Sequence, residues 1–227
     1  MILDGQAACS WGRGLAGFAD KTTSRAERAA ELSASPPMFR SRLLDMFTRV
    51  HPAVVPIIYA PVLLWLLYRA SDFGVLPVLA LFAGGYALWT LFEYWGHRLV
   101  FHYEPDHPFG ARLHWIIHGV HHDHPSDPLR LVLPPVASIP IMLIAYGALS
   151  LFFDGPVLAA VAAGFLAGYV LYDMTHYYLH HFTPRTRLGR ALRARHMHHH
   201  FRDDRTAYGV SAPWWDAVFG TSVRKSR

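Results

Sequence analysis

Residues 75–102 read VLPVLALFAGGYALWTLFEYWGHRLVFH, an apolar run that ends abruptly in acid, arginine and histidine. Twenty-one residues from Val75 to Trp95 carry one charge, Glu93. A run near 20 apolar residues crosses a hydrocarbon core of about 30 Å as a helix. Beyond it stand His97 and His102, so a span that finishes in histidines is the unit to look for elsewhere. Three further apolar stretches exist, giving spans at about 53–70, 75–95, 131–153 and 156–179. Hydrophobic residues make up 52% of the 227 and charged residues only 16%, a balance that leans toward a membrane protein. Buried helices of a soluble bundle are the alternative, and the distribution of charge argues against it.

Ser71-Asp72-Phe73-Gly74 separates the first two stretches and Asp154-Gly155 the last two. Both connections are short, so the stretches pair into two hairpins. The N-terminus, the 96–130 segment and the C-terminal tail then share one side of the bilayer. All of the 21 Lys and Arg residues except Arg69 fall on that side, which makes it cytoplasmic by the positive-inside rule. Residues 1–37 read as a flexible N-terminal segment. Phe39, Leu43, Met46, Phe47 and Val50 recur at helical spacing within 38–50, which predicts an interfacial amphipathic helix. Residues 51–227 form the membrane domain. Cys9 is the single cysteine, so neither an intrachain disulfide nor a thiolate metal site is expected. The formal charge of +5 is better explained by anionic lipid headgroups than by nucleic acid, for which no module is visible. Trp214 and Trp215 suit either a headgroup anchor or packing within the cap.

Ten of the 16 histidines fall into four boxes: His97-x4-His102, His118-x2-His121-His122, His176-x3-His180 and His196-x2-His199-His200. Positions i, i+3 and i+4 share a helical face, so each triplet aims three imidazoles in one direction. His176 and His180 pair by the same geometry, whereas i, i+5 requires a helix end or a bend between His97 and His102. Ten imidazoles exceed one tetrahedral site and leave about five for each of two metals. Every box lies at or beyond the cytoplasmic end of the second or fourth span. His51, just before the first span, reads as interfacial, and His107, His114, His124, His181 and His198 as polar cap residues or donors that support the ligands. Glu93 and Asp173 precede His97 and His176 on the same helix faces, as pocket residues or as acceptors for a ligand's other ring N–H.

These motifs resemble the fatty acid hydroxylase branch of the sterol desaturase and fatty acid hydroxylase superfamily, with the fatty acid 2-hydroxylases as the nearest likeness. The resemblance runs through Phe92–His102, Leu113–His122, Asp127–Pro135, Tyr172–His181, Arg195–His200 and Tyr208–Thr221. It implies an all-α integral membrane protein with four transmembrane helices and a cytosolic helical cap holding a histidine-rich dimetal site. The ten implied ligands are His97, His102, His118, His121, His122, His176, His180, His196, His199 and His200. Two iron ions are the implied cofactor, with zinc able to occupy such sites in purified protein and O2 as co-substrate. Asp173 matches an acidic position beside the substrate, and Tyr169, one turn earlier, is expected to line the same pocket. The implied reaction is hydroxylation of a lipid acyl chain, most directly at C2. Eukaryotic members carry a fused cytochrome b5 domain, but too few residues precede Ala53 for that module and no His-Pro-Gly-Gly is present. Electrons are therefore expected from a separate donor, a ferredoxin or a cytochrome b5-like protein. The arginines at 185–205 are a candidate surface for an acidic donor. Rival readings are a sterol-type desaturase or carotenoid hydroxylase with the same centre, and, from another class, a histidine-lined metal transporter. The transporter is disfavoured because its ligands belong near the bilayer midplane.

Overall fold

The computed structural model describes residues 24–223, all of whose regular elements are helical. Long apolar runs dictate the core. Helices α3 (Val54–Ala70), α4 (Val75–Gly96) and α8 (Gly155–His181) are joined or flanked by tight turns, and the first two form the expected hairpin through Gly74. Three helical segments are long and apolar enough to cross a membrane: Val54–Phe73, Val75–Phe101 and Gly155–His181. The 131–153 stretch differs from expectation, because its helix, α7, covers only Pro135–Leu149. Pro134 and Pro135 hold the start extended, and the chain turns after Ser150.

Helix α8 is the central element. Residues 158–169 are buried without interruption, while α3 and α4 pack on either side of it and expose their far faces. Leu64, Tyr68, Leu76 and Leu79 are all more than half exposed. Such a continuous apolar exterior suits lipid and is rare on a monomeric soluble protein.

The α4–α8 contact depends on two glycines facing each other's backbones. A Cβ on Gly85 would lie 2.0 Å from the Val161 carbonyl oxygen, and one on Gly164 would lie 2.0 Å from that of Phe82. Small residues let membrane helices approach this closely. Gly164→Ala is expected to separate the two helices and lower the thermal midpoint in detergent by roughly 5 °C or more. A melting curve of the purified variant checks this, and an unchanged midpoint would contradict the packing.

Before the first span, the described residues depart from expectation in two places, while residues 1–23 of the segment read as flexible lie outside them. Residues 25–32 form α1 (Arg25–Leu32), because Ser24 and Glu27 build a reciprocal capping box. The 38–50 segment is not one helix: only α2 (Arg42–Met46) is helical. Its side chains nevertheless divide, with Met38, Asp45 and Val50 buried and Leu43, Leu44, Met46 and Phe47 exposed. Bends around residues 38–41 turn Met38 inward, where a straight helix would leave it on the surface.

Helices α5 (Pro108–His114), α6 (Val120–Asp123), α9 (Arg187–Phe201) and α10 (Trp214–Val218) cover one end of the long helices. Trp215 packs inside this cap, donating its indole N–H to the Thr90 hydroxyl at 3.0 Å. Trp214 stays half exposed.

Candidate dimetal centre

All ten box histidines converge where α4, α8 and α9 meet the short cap helices. Two π-helical turns make this possible. The first, His97–Phe101, continues α4, and the His102 N–H reaches the His97 carbonyl at 3.1 Å. That i→i+5 bond places His102 one turn beyond His97, which an ordinary α-helix would not do. The second, Trp115–Gly119, joins α5 to α6 and carries His118.

The histidines form two groups of five. One holds His97, His102, His118, His122 and His199; the other holds His121, His176, His180, His196 and His200. Each triplet is thus divided, with His121 leaving His118 and His122, and His199 leaving His196 and His200. The expectation that a triplet points one way fails, because a helix wedged between two sites presents neighbouring positions to both. The groups adjoin, and the His122 and His200 rings stack with centroids 4.3 Å apart. The remaining histidines stay outside both groups. Of these, His124 bonds the Glu31 carbonyl and His107 caps α5.

Within each group, the candidate nitrogens all lie within 4.8 Å of one another. Opposed ligands on bonds of about 2.1 Å would stand about 4.2 Å apart, so only a small contraction separates this arrangement from a coordination shell. Tautomers agree with that reading. His97 Nδ1 lies 2.7 Å from the Tyr208 carbonyl and His199 Nδ1 lies 2.6 Å from the Thr206 carbonyl, so both donate their N–H outward. Their Nε2 atoms are then lone pairs facing inward, 3.3 Å from His118 Nε2 and 2.9 Å from His102 Nε2. In the second group, His180 and His196 bring their Nε2 atoms to 2.7 Å. Lone pairs crowded in this way repel unless a proton or a metal cation lies between them. The donor set therefore fits two metal ions.

Burial and neighbouring imidazoles hold these rings neutral, as ligands must be. Desolvation, then His122 and His199, push His102 down to about 2. For His118, His121, His122, His196 and His200, burial comes first and adjacent histidines second, and all fall well below the usual imidazole range. His199 is lowered by burial despite the opposing Thr206 contact.

The residues that hold the first group were not singled out by spacing. Asp216 is fully buried and accepts from the Tyr208 and Gly209 N–H groups at 2.9 and 3.1 Å, from the Thr221 hydroxyl at 2.7 Å and from Arg195 at 3.0 Å. Those bonds fix the 206–209 loop, with Ala207 at a left-handed φ of 59°, so that two carbonyls meet two histidines. The only sequence signal was that Asp216 falls inside the closing Tyr208–Thr221 motif.

Neither acidic residue bonds a box histidine. Glu93 accepts from the Ser211 N–H at 2.8 Å and from its hydroxyl. Asp173 accepts from the Tyr169 hydroxyl at 3.0 Å and from the Leu133 N–H at 3.2 Å. Both line a cavity of about 280 Å³ that begins at His97, His118, His121 and His176. Its other walls are mainly apolar, including Trp89, Phe92, Val132, Ile141, Met142 and Tyr172. The cavity therefore touches both histidine groups and runs from them between α4, α7 and α8.

The fatty acid hydroxylase family model matches residues 82–221, which contain every box and the whole cavity wall except Met38. The chain belongs to the fatty acid hydroxylase family. It is 38% identical over 192 residues to a dihydroceramide fatty acyl 2-hydroxylase of Arabidopsis thaliana, covering 82% of this chain and 79% of that one. It is 36% identical to the fatty acid 2-hydroxylase of Homo sapiens, over 81% of this chain and 56% of the human protein. Among solved structures it resembles full-length scs7p, of which only the hydroxylase domain is visible. The TM-score is 0.77 at 33% identity, covering 81% of this chain and 70% of that one. This fatty acid hydroxylase is an oxidoreductase with a membrane hydroxylase fold, and its histidine groups are of the kind that hold metal.

Proposed function

We propose that this chain hydroxylates a lipid acyl chain at C2, using O2 and two iron ions held by the ten box histidines. The observation that carries the reading is the cavity, with histidines of both groups at one end and apolar side chains along the rest. An acyl chain lying in it would bring a carbon near its head against the centre and leave its tail among the membrane helices. The names borne by the relatives, fatty acyl and fatty acid 2-hydroxylases, point the same way. Bound iron would supply the activation of O2, and zinc would fit the same nitrogens in purified protein.

The chain's own residues position the substrate and exclude water. Trp89, Phe92, Ile141 and Met142 form the walls that keep the reacting carbon dry. Asp173, three residues before His176, is braced by Tyr169 and in turn anchors Leu133 at the cavity wall. We assign Asp173 and Tyr169 to the polar side of the substrate pocket. Four transmembrane helices are favoured, with the 131–153 stretch as the third. Helix α7 alone spans about 22 Å, and the apolar residues 131–134 and 151–153 extend it. The histidine cap and both termini then face the cytoplasm, by the placement of arginines and lysines. Leu43, Leu44, Met46 and Phe47 would lie in the interface. Arg185, Arg187, Arg190, Arg202 and Arg205 are exposed around α9, which suits docking of a separate acidic donor of the ferredoxin or cytochrome b5 type.

Cells expressing the protein should gain 2-hydroxy acyl chains in their lipids, and His118→Ala should abolish the gain. Lipid mass spectrometry reads both. An undiminished product in that variant would reject the reading.

A further inference from the structure

The one cavity-lining residue outside the family-matched segment is Met38, and it is only 3% exposed. It belongs to the strap of residues 33–50, which comes before the first long helix yet is bound tightly to the cap. Both backbone polar groups of Met38 are held: its N–H donates to Asp45 at 2.6 Å, and its carbonyl accepts from Arg112. Asp45 also accepts from Arg130 at 2.9 Å and from Arg49 at 3.1 Å. Arg130 itself lines the cavity and donates to the Pro36 carbonyl as well. A buried guanidinium and a carboxylate therefore fasten the strap, from both sides of Met38, to the cavity wall.

Met38 meets the cavity on its cap side, since Arg112, which holds its carbonyl, and Arg130, which holds Pro36 and Asp45 on either side of it, bound the 112–130 segment bearing His118 and His121. We infer that Met38 is a substrate-positioning residue, a stop against which the head end of the acyl chain rests. Asp45 and Arg130 act through it by fixing the strap. The inference rests on the acyl-hydroxylase reading above. A thioether on a flexible stem suits such a contact, because it conforms to an apolar surface without demanding a hydrogen bond. Register follows: with the head held at Met38, one carbon near it faces the histidines, and shortening the stop lets the chain advance.

Three measurements on the metal-loaded protein test this. With a palmitoyl dihydroceramide substrate, Met38→Ala should release 3-hydroxy beside 2-hydroxy product, while Met38→Leu keeps the wild-type position. Asp45→Asn should raise KM about tenfold and change kcat less than about threefold, with metal content unaltered. A purely structural role would lower yield and kcat without moving the hydroxyl. Independently of turnover, a photoreactive methionine analogue at position 38 should crosslink that lipid near its amide. Unchanged product position in Met38→Ala, or a crosslink at the chain terminus, would overturn the inference. Wild-type protein that binds the lipid but forms no hydroxylated chain would instead overturn the acyl-hydroxylase reading.

Discussion

Exchanging His122 for alanine should remove one metal and leave the other, and exchanging its neighbour His121 should do the reverse. Although adjacent in sequence, the two side chains belong to different groups of five. Metal content should fall from about two ions per chain to about one in each variant, and hydroxylation by at least about a hundredfold, since removal of a ligand exceeds the effect of losing its supporting partner. Paired substitutions sharpen the test. His102→Ala added to His122→Ala should cost no further metal, because both nitrogens serve the same group. His180→Ala added to His122→Ala should empty both. Equal loss in the two pairs would mean that the groups are not separate sites.

Acidification of the metal-free protein should bring a steep loss of stability. Seven imidazoles of the cap, His102, His118, His121, His122, His196, His199 and His200, are held below their ordinary range by burial first. The unfolded chain binds protons at these positions below a pH of about 6.5, and the folded chain does so only at lower pH. Their contribution is therefore fully present above that pH and falls as the pH drops through it, by about 1.4 kcal/mol per pH unit for each withheld proton. Thermal midpoints of chelator-treated protein between about pH 8 and about pH 5 read the effect. Bound metal should delay the fall, because protons must then displace it. A midpoint that is flat or rises on acidification would show that the rings are solvated.

Much of this centre was legible in the chain. The composition of the spans, the ten histidines and their position at span ends could all be read from residue type and spacing. What spacing could not supply was the division of each triplet. Face-sharing arguments treat a helix as addressing one neighbour, whereas α6 and α9 lie between two sites and address both. The π-turn at His97–Phe101 was visible only as a need for some bend, since the i, i+5 separation has no local sequence cause. Asp216 was illegible for another reason. Its work is done through the backbone of a loop, and carbonyl acceptors such as those of Thr206 and Tyr208 leave no side-chain signature. The strap misled in the opposite direction: an amphipathic pattern over 38–50 was real, but bends serve it better than a helix, because Asp45 must reach back to Met38.

The most direct test of the central claim is to supply purified, iron-loaded protein with a reductant, a donor protein, an acyl lipid and isotopically labelled dioxygen. Mass spectrometry then locates the label. One labelled oxygen atom at C2 of the acyl chain, absent in His121→Ala and in His122→Ala alike, is the expected result. Label at no carbon of the chain, a new double bond in place of a hydroxyl, or product retained in either variant would contradict a paired histidine centre that hydroxylates the chain beside its head.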